Sequence, residues 1–439
     1  MSILKNISLD NMSFKINKSQ LYKYGELLFF SSVILAFIDY ILFDCTNFSK
    51  IIPNVFGNIL TIIIYLLLLL KIITFSYYTS KEIKIIFLLT GIVILSLLCS
   101  KNFLILKLFL FIIGNKNIST KKLFNLVRKL IVFSLVITIC CSFLNIIESH
   151  NILRDNSSFI RYSLGFNHPN MLSMFILQFI LISLFLDYEK FNVKYMIFYL
   201  IIIFVTYFIT DSRTTCMLGL GCYCIFLFIY FLKLDTGSYL DSNSNFIKES
   251  TKGKNDFIKN NLVQKTVIKK SFLFFKKIFI FFPEFLGFGS LFLGKYYNVT
   301  LSQLNNLFSG RLMYINVFLN MYGIHLFGTY VPYGSSYINS KGELVPLILD
   351  NAYANITIRF GLIILILLLI AYSLLTKKLI SQKQIISLLI VSVYLVFGLM
   401  ESHFIYITAN FSLFFLSQVL YESNTPSNNE KIFSLLLKI

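Results

Sequence analysis

Apolar runs of roughly 17 to 22 residues recur along the whole chain, each long enough to cross the ~30 Å hydrocarbon core of a bilayer as a helix. Lipid offers no water to unpaired backbone groups, so runs of this kind must be helical. The pattern predicts an all-α polytopic membrane protein with twelve spans, at about 27–43, 56–76, 85–99, 101–114, 131–148, 170–187, 195–210, 214–232, 273–293, 354–375, 384–400 and 404–421. Composition agrees, because 13% charged residues is about half the quarter that a soluble surface carries. The first residues hold Lys5, Lys15, Lys18 and Lys23 but no apolar core followed by a small-residue cleavage site, so the first span is expected to stay in the membrane.

Basic residues sort between alternate loops, the usual orientation signal. With the N-terminus inside, most of the 39 lysines and arginines fall on the cytoplasmic side, which predicts a cell-membrane protein with both termini cytoplasmic. The net charge of +19 then has a plain cause, inner-face lysines beside anionic headgroups, and nucleic acid is not an expected partner. Residues 233–272 are polar and lysine-rich and read as a mobile cytoplasmic loop, 422–439 as a cytoplasmic tail, and 294–354 as the one long extracytoplasmic segment, with short interfacial helices. The seven cysteines mostly fall inside apolar spans with no Cys-x-x-Cys pattern, and read as lipid-tolerant packing residues.

Within so lysine-rich a chain the arginines stand out. There are 33 lysines and six arginines, and Arg154, Arg161, Arg213, Arg311 and Arg359 all fall at or beside the outer face. Arginine offers a planar fork that grips two phosphate oxygens at once and keeps its proton, so the set points to a phosphate-bearing ligand at that interface. The bland alternative is that each caps a helix or pairs with Asp155, Asp211 or Asp350. The four histidines, His150, His168, His325 and His403, are also placed outside; a near-neutral imidazole suits proton transfer, and they lack zinc-ligand spacing. No metal or cofactor is expected.

Four stretches carry the polar residues. Arg161 to Asn170 (RYSLGFNHPN) opens the sixth span with Asn167, His168 and Asn170 at a helix start, where free N–H groups favour an anion, and Pro169 suits a first helical position. Asp211-Ser-Arg213 makes a turn between spans seven and eight. Ser309-Gly-Arg311 precedes an interfacial helix. Leu349-Asp-Asn-Ala-Tyr353 leads into span ten, with Asp350, Asn351 and Tyr353 ahead of Arg359, a charge inside a span that calls for a partner such as Asp350 or a phosphate.

In these stretches, with Leu326-Phe-Gly328 and Arg359-Phe-Gly361, the chain resembles the Wzy polysaccharide polymerases of the O-antigen ligase and polymerase family. The resemblance covers spans five to ten. It implies a metal-independent membrane glycosyltransferase that takes a growing glycan from an undecaprenyl pyrophosphate carrier and joins it to another lipid-linked repeat unit outside the cell membrane, as in capsule or O-antigen polysaccharide biosynthesis. Membrane lipid, a chain-length regulator and a flippase of the same pathway are the implied partners. Arg161, Arg213, Arg311 and Arg359 would bind the pyrophosphate and Arg311 would also act in catalysis. Asn167, Asn170, Asn351 and Tyr353 would contact substrate, and His168 and Asp350 are candidates for the base. One departure is Asp350, which stands where the related ligases carry a histidine; it favours polymerase over ligase. A ligase that transfers finished glycan, and a flippase or other transporter, are the alternatives. A transporter would place polar groups at mid-bilayer on broken helices, whereas these spans read as almost uncharged through their centres.

Overall fold

The computed structural model describes residues 18–153, 159–231, 278–332, 336–338, 344–346 and 349–421. The expected loop 233–272, the tail 422–439, Arg154 and part of the segment 294–354 lie outside the described residues. Helices dominate: α1 (Lys18–Asp39), α2 (Asn54–Thr74), α3 (Ser80–Ser100), α4 (Leu104–Gly114), α5 (Thr120–Phe143), α6 (Pro169–Leu186), α7 (Val193–Thr210), α8 (Arg213–Phe231), α9 (Phe282–Lys295), α10 (Ser302–Leu307), α11 (Arg311–Tyr322), α12 (Ala352–Asn355), α13 (Leu362–Ser381), α14 (Ile385–Phe397) and α15 (Ser417–Leu420). Eight of the segments are long and apolar enough to cross a membrane: α1 with its extension to Cys45, α2, α3, α5, α6, α7, α8 and α13. Three shorter apolar helices accompany them, at 104–114, 385–397 and 411–420.

Where the elements end follows local chemistry. α1 widens into a π-helical turn at Tyr40–Cys45. α3 opens on a capping box between Thr79 and Glu82 and closes at Lys101, whose left-handed backbone (φ 54°) turns the chain so that α4 starts anew. Residues 85–114 are therefore two helices. The stretch expected as a single span at 404–421 is instead broken into 3-10 turns at Ser402–Ile405 and Phe411–Leu416 before α15. Its Asn410 side chain accepts from Ser412 N at 3.1 Å and donates to Phe404 O at 2.8 Å, bonds that compete with a helical ladder. Beyond the expected helices there are two small antiparallel ribbons, β1 (Ile152–Leu153) with β2 (Ile160–Arg161) and β3 (Ser336–Ile338) with β4 (Leu344–Pro346).

Helix α6 is the central post, with 72% of its apolar window buried against 17% for α3. α2, α3 and α5 turn large apolar side chains such as Leu66, Phe87 and Phe133 outward, the surface that lipid replaces water around. Charge is nonetheless present inside the helical layer, unlike the sequence expectation. Lys107 on α4 pairs with Asp39 on α1 at 2.6 Å, and Thr61 of α2 donates to the same carboxylate at 3.4 Å. Pairing is what makes such charges tolerable there.

A second charged cluster closes the end of the bundle where α2 and α4 finish and α3 begins. Glu82 ion-pairs with Lys116, whose Nζ also sits 4.9 Å and 4.7 Å from the ring centres of Tyr78 and Tyr421. Lys71 donates to Lys116 O at 2.8 Å and Tyr421 OH to Ile113 O at 2.8 Å. The C-terminal stretch is thereby fastened to the α2–α3 turn.

Candidate functional site

The polar residues of the four stretches gather at the opposite end, where α6, α8 and α13 start and α7 and α14 finish. The loop before α6 is set by Leu164 and Gly165, both with positive φ (47° and 88°). A side chain at Gly165 would meet Thr138 O at 2.9 Å, so the close approach to α5 needs glycine. Asn47 N donates to Gly165 O at 3.0 Å and Asn167 N to Cys45 O at 3.1 Å, which pins the loop to the end of α1. His168 then caps α6, its Nδ1 accepting from Asn170 N at 3.1 Å, with Pro169 at the first helical position.

Asn170 is the hinge of the polar network. Its Oδ1 accepts from Arg161 Nη2 at 2.7 Å and its Nδ2 donates to Glu401 Oε1 at 3.2 Å. Arg161 is carried there by β2, and its Nε donates to Thr210 O, the last residue of α7, at 2.8 Å. From the other side comes Arg311. Ser309 and Gly310 take positive φ (53° and 84°) and reverse the chain between α10 and α11, so that Arg311 is the first residue of α11. Its Nε donates to Met400 O at 2.9 Å and its Nη1 to Phe308 O at 3.3 Å. Nη2 faces two carboxylates, Asp350 at 3.4 Å and Glu401 at 3.8 Å.

Asp350 is presented by its neighbours. Asn351 caps α12 and donates from Nδ2 to Leu399 O at 3.1 Å, Ala352 N donates to Gly398 O at 2.8 Å, and Tyr353 OH to Leu395 O at 2.6 Å. The Asp-Asn-Ala-Tyr stretch is thus clamped to the end of α14, and Asp350 is laid beside Glu401. Asn351 and the fully buried Tyr353 spend their polar atoms on this clamp, whereas Asn167 is exposed and donates from Nδ2 to Asp44 O at 2.8 Å. Asn351 and Tyr353, expected to contact substrate, hold the Asp350 stretch in place.

The electrostatics separate the acid–base candidates. Burial, then the charges of Arg161 and Arg311, push the His168 imidazole down to about 4. Neutral and accepting a hydrogen bond at Nδ1, it carries its proton on Nε2 and offers a donor, so it is a poor base at neutral pH. Burial, reinforced by Asp350, pushes Glu401 well above the usual carboxylate range, against the opposing pull of Arg311, Asn170 and Arg161. Asp350 is raised by burial and drawn back by Arg311; with a side chain 35% exposed it is the carboxylate of the pair that a ligand can reach.

The other expected residues lie apart from this network. Arg213 is the first residue of α8 and exposed, with no side-chain partner among the described residues. Arg359 donates from Nη1 to Val331 O at 2.8 Å, while Asp350, its expected partner, pairs with Arg311. The two Phe-Gly pieces have a backbone explanation. Thr329 N donates to Ile358 O at 3.0 Å and Leu362 N to His325 O at 2.9 Å. A side chain at Gly328 would lie 2.1 Å from Arg359 O, and one at Gly361 2.3 Å from Leu326 O. Of the other histidines, His150 contacts Lys50 at 2.9 Å, His325 contacts Tyr322 O at 2.9 Å, and His403 lies between Tyr40 and Tyr406.

Glu401 is the residue that sequence reasoning missed. The available signal was a lone carboxylate closing an apolar run just before His403, and nothing local to it points to partners as distant in sequence as Asn170 and Arg311. Among the described residues no group of three or more His, Cys, Asp or Glu side chains could hold a metal ion. Compared with family models, with curated proteins and with solved structures, the chain matches none.

Proposed function

We propose that this protein is a membrane glycosyltransferase that polymerises polyprenyl pyrophosphate-linked repeat units, with the Arg311 network as its active site. The observation that carries the reading is the convergence of Arg161, Asn170, Arg311, Asp350 and Glu401, drawn from four separate stretches onto one end of a helical bundle. An enzyme acting on a lipid-linked substrate needs its chemistry at the bilayer surface, and cations preset for an anion that develops during reaction are how such a site lowers its barrier. In this reading the site end faces outward across the cell membrane, both termini are cytoplasmic, and the three shorter apolar helices together with α9 bring the eight long spans to twelve crossings.

Asp350 takes the proton of the acceptor hydroxyl, whose oxygen bonds to the anomeric carbon of the donor as the bond to the pyrophosphate oxygen breaks. The electron pair leaves on the pyrophosphate, held by Arg311 with Arg161. Glu401, protonated, keeps Asn170 and Arg311 in place without adding a second negative charge. His168 donates from Nε2 to substrate oxygen. Arg311→Lys keeps the charge but loses the fork, so lipid-linked single repeats should persist in cells while long polymer disappears; normal chain lengths would overturn the reading. Unattached long polymer in a deletion strain would point to a ligase.

A transporter is the second reading, favoured by one observation, the Asp39–Lys107 pair with Thr61 inside the helical layer, since intramembrane ionisable groups often line transport paths. Asp39→Asn would then abolish substrate movement across vesicles, whereas a polymerase would keep its polymer ladder.

A further inference from the structure

At the end of the bundle remote from Arg311, helices α5 and α7 both pack on α6 but scarcely touch each other. The gap between them is a trough of about 600 Å³ with α6 as its floor, a volume in the range of small-ligand sites. Its walls are apolar, Val132, Phe133 and Val136 from α5 facing Tyr195, Phe198 and Tyr199 from α7. Large exposed side chains such as Phe133 (59%), Val136 (56%) and Phe198 (49%) show that no other part of the described chain covers it. Both flanking helices are long and apolar enough to span a bilayer, so what meets the walls is acyl chain.

The trough has a polar mouth at one end only. Asp187, at the finish of α6, is held by Arg128 of α5 at 2.5 Å, which ties the two walls' shared floor to the α5 wall and neutralises the carboxylate. That leaves Lys129 on the rim, exposed and without a side-chain partner among the described residues, with Lys190 and Lys194 exposed around the start of α7. An apolar slot that ends in surplus positive charge is complementary to one kind of molecule, an anionic phospholipid, its phosphate against Lys129 and one chain between Phe133 and Phe198. We propose that this trough is a binding site for an anionic glycerophospholipid. It is separate from the Arg311 network and independent of the proposed reaction.

The chain contains no tryptophan, so Val132→Trp or Val136→Trp introduces a single indole into the trough of the otherwise unaltered full-length protein. In nanodiscs of phosphatidylcholine, titration with dibrominated phosphatidylglycerol should quench that indole at about a fivefold lower mole fraction than dibrominated phosphatidylcholine does, the preference expected of one basic residue for a headgroup of net negative charge over one whose phosphate is neutralised by choline. Adding Lys129→Gln should remove the preference, and Leu66→Trp, on the exposed face of α2, should show none. Equal quenching by the two lipids would make the trough a passive lipid contact and overturn the proposal. Quenching by neither would mean that another protein surface, such as a second copy, fills it, and would overturn it equally. Two indole positions keep the test readable if one variant folds poorly.

Discussion

The two ends of the bundle hold similar numbers of buried or half-buried charges and treat them in opposite ways. At one end Lys116, Glu82 and Lys71 are closed on each other, on a capping box and on two tyrosine rings. At the other, Arg311 Nη2 stands 3.4 Å and 3.8 Å from two carboxylates, beyond good hydrogen-bonding distance. Short, saturated contacts make a lock; long, shared ones leave electrostatic capacity for something that arrives. The comparison teaches that charge inside an apolar bundle marks a site only where the partners fall short of satisfying it.

The contrast can be broken in four ways, the largest effect first. Glu82→Ala strands a buried ammonium and should cost about 3–5 kcal/mol, read as a large fall in melting temperature in detergent, whereas Glu82→Gln with Lys116→Met should recover most of it. Wild-type melting of the single variant would show that this end is no lock. Arg311→Lys should do the reverse, lowering polymer formation by on the order of 10²–10³ in a membrane assay while the melting temperature stays near that of the parent.

Glu401→Gln sharpens the same point through pH. Because the native carboxyl keeps its proton up to about 8 while the unfolded chain releases it near 4.5, native stability falls as pH rises through that window. Glutamine has nothing to release, so the melting temperature of the variant should climb relative to the parent between about pH 5 and pH 8. His168, with its imidazole lowered from 6.5 to about 4, contributes the opposite slope below pH 6.5, but equally in both proteins. A constant difference across this range would mean that Glu401 is ionised throughout. The smallest stability effect belongs to Arg213→Lys, where an exposed side chain without a partner among the described residues predicts a change within about 0.5 kcal/mol, measured by thermal unfolding.

Much of the helix plan was readable from residue order. Long apolar runs, Pro169 at a first helical position and Ser309-Gly310 before α11 are local signals, and they mark helix starts close to where the structure has them. The break-up of 404–421 was less readable, because Asn410 and the neighbouring hydroxyls redirect backbone bonds within a run whose hydropathy alone suggests one helix. Arg161, Asn170, Arg311 and Asp350 were singled out one at a time; that they form one network, and that Arg213 and Arg359 stand outside it, depends on how the helix ends are brought together.

Sequence alone determined that this chain is built of membrane-length apolar helices and which few arginines stand at their ends, because hydropathy and residue choice are properties of segments taken singly. Only tertiary structure decided which cation faces which carboxylate. Glu401 lies 90 positions from Arg311 and 231 from Asn170, and nothing local links them. Desolvation, which turns Glu401 into an acid and His168 into a donor, exists only once the surrounding helices have excluded water.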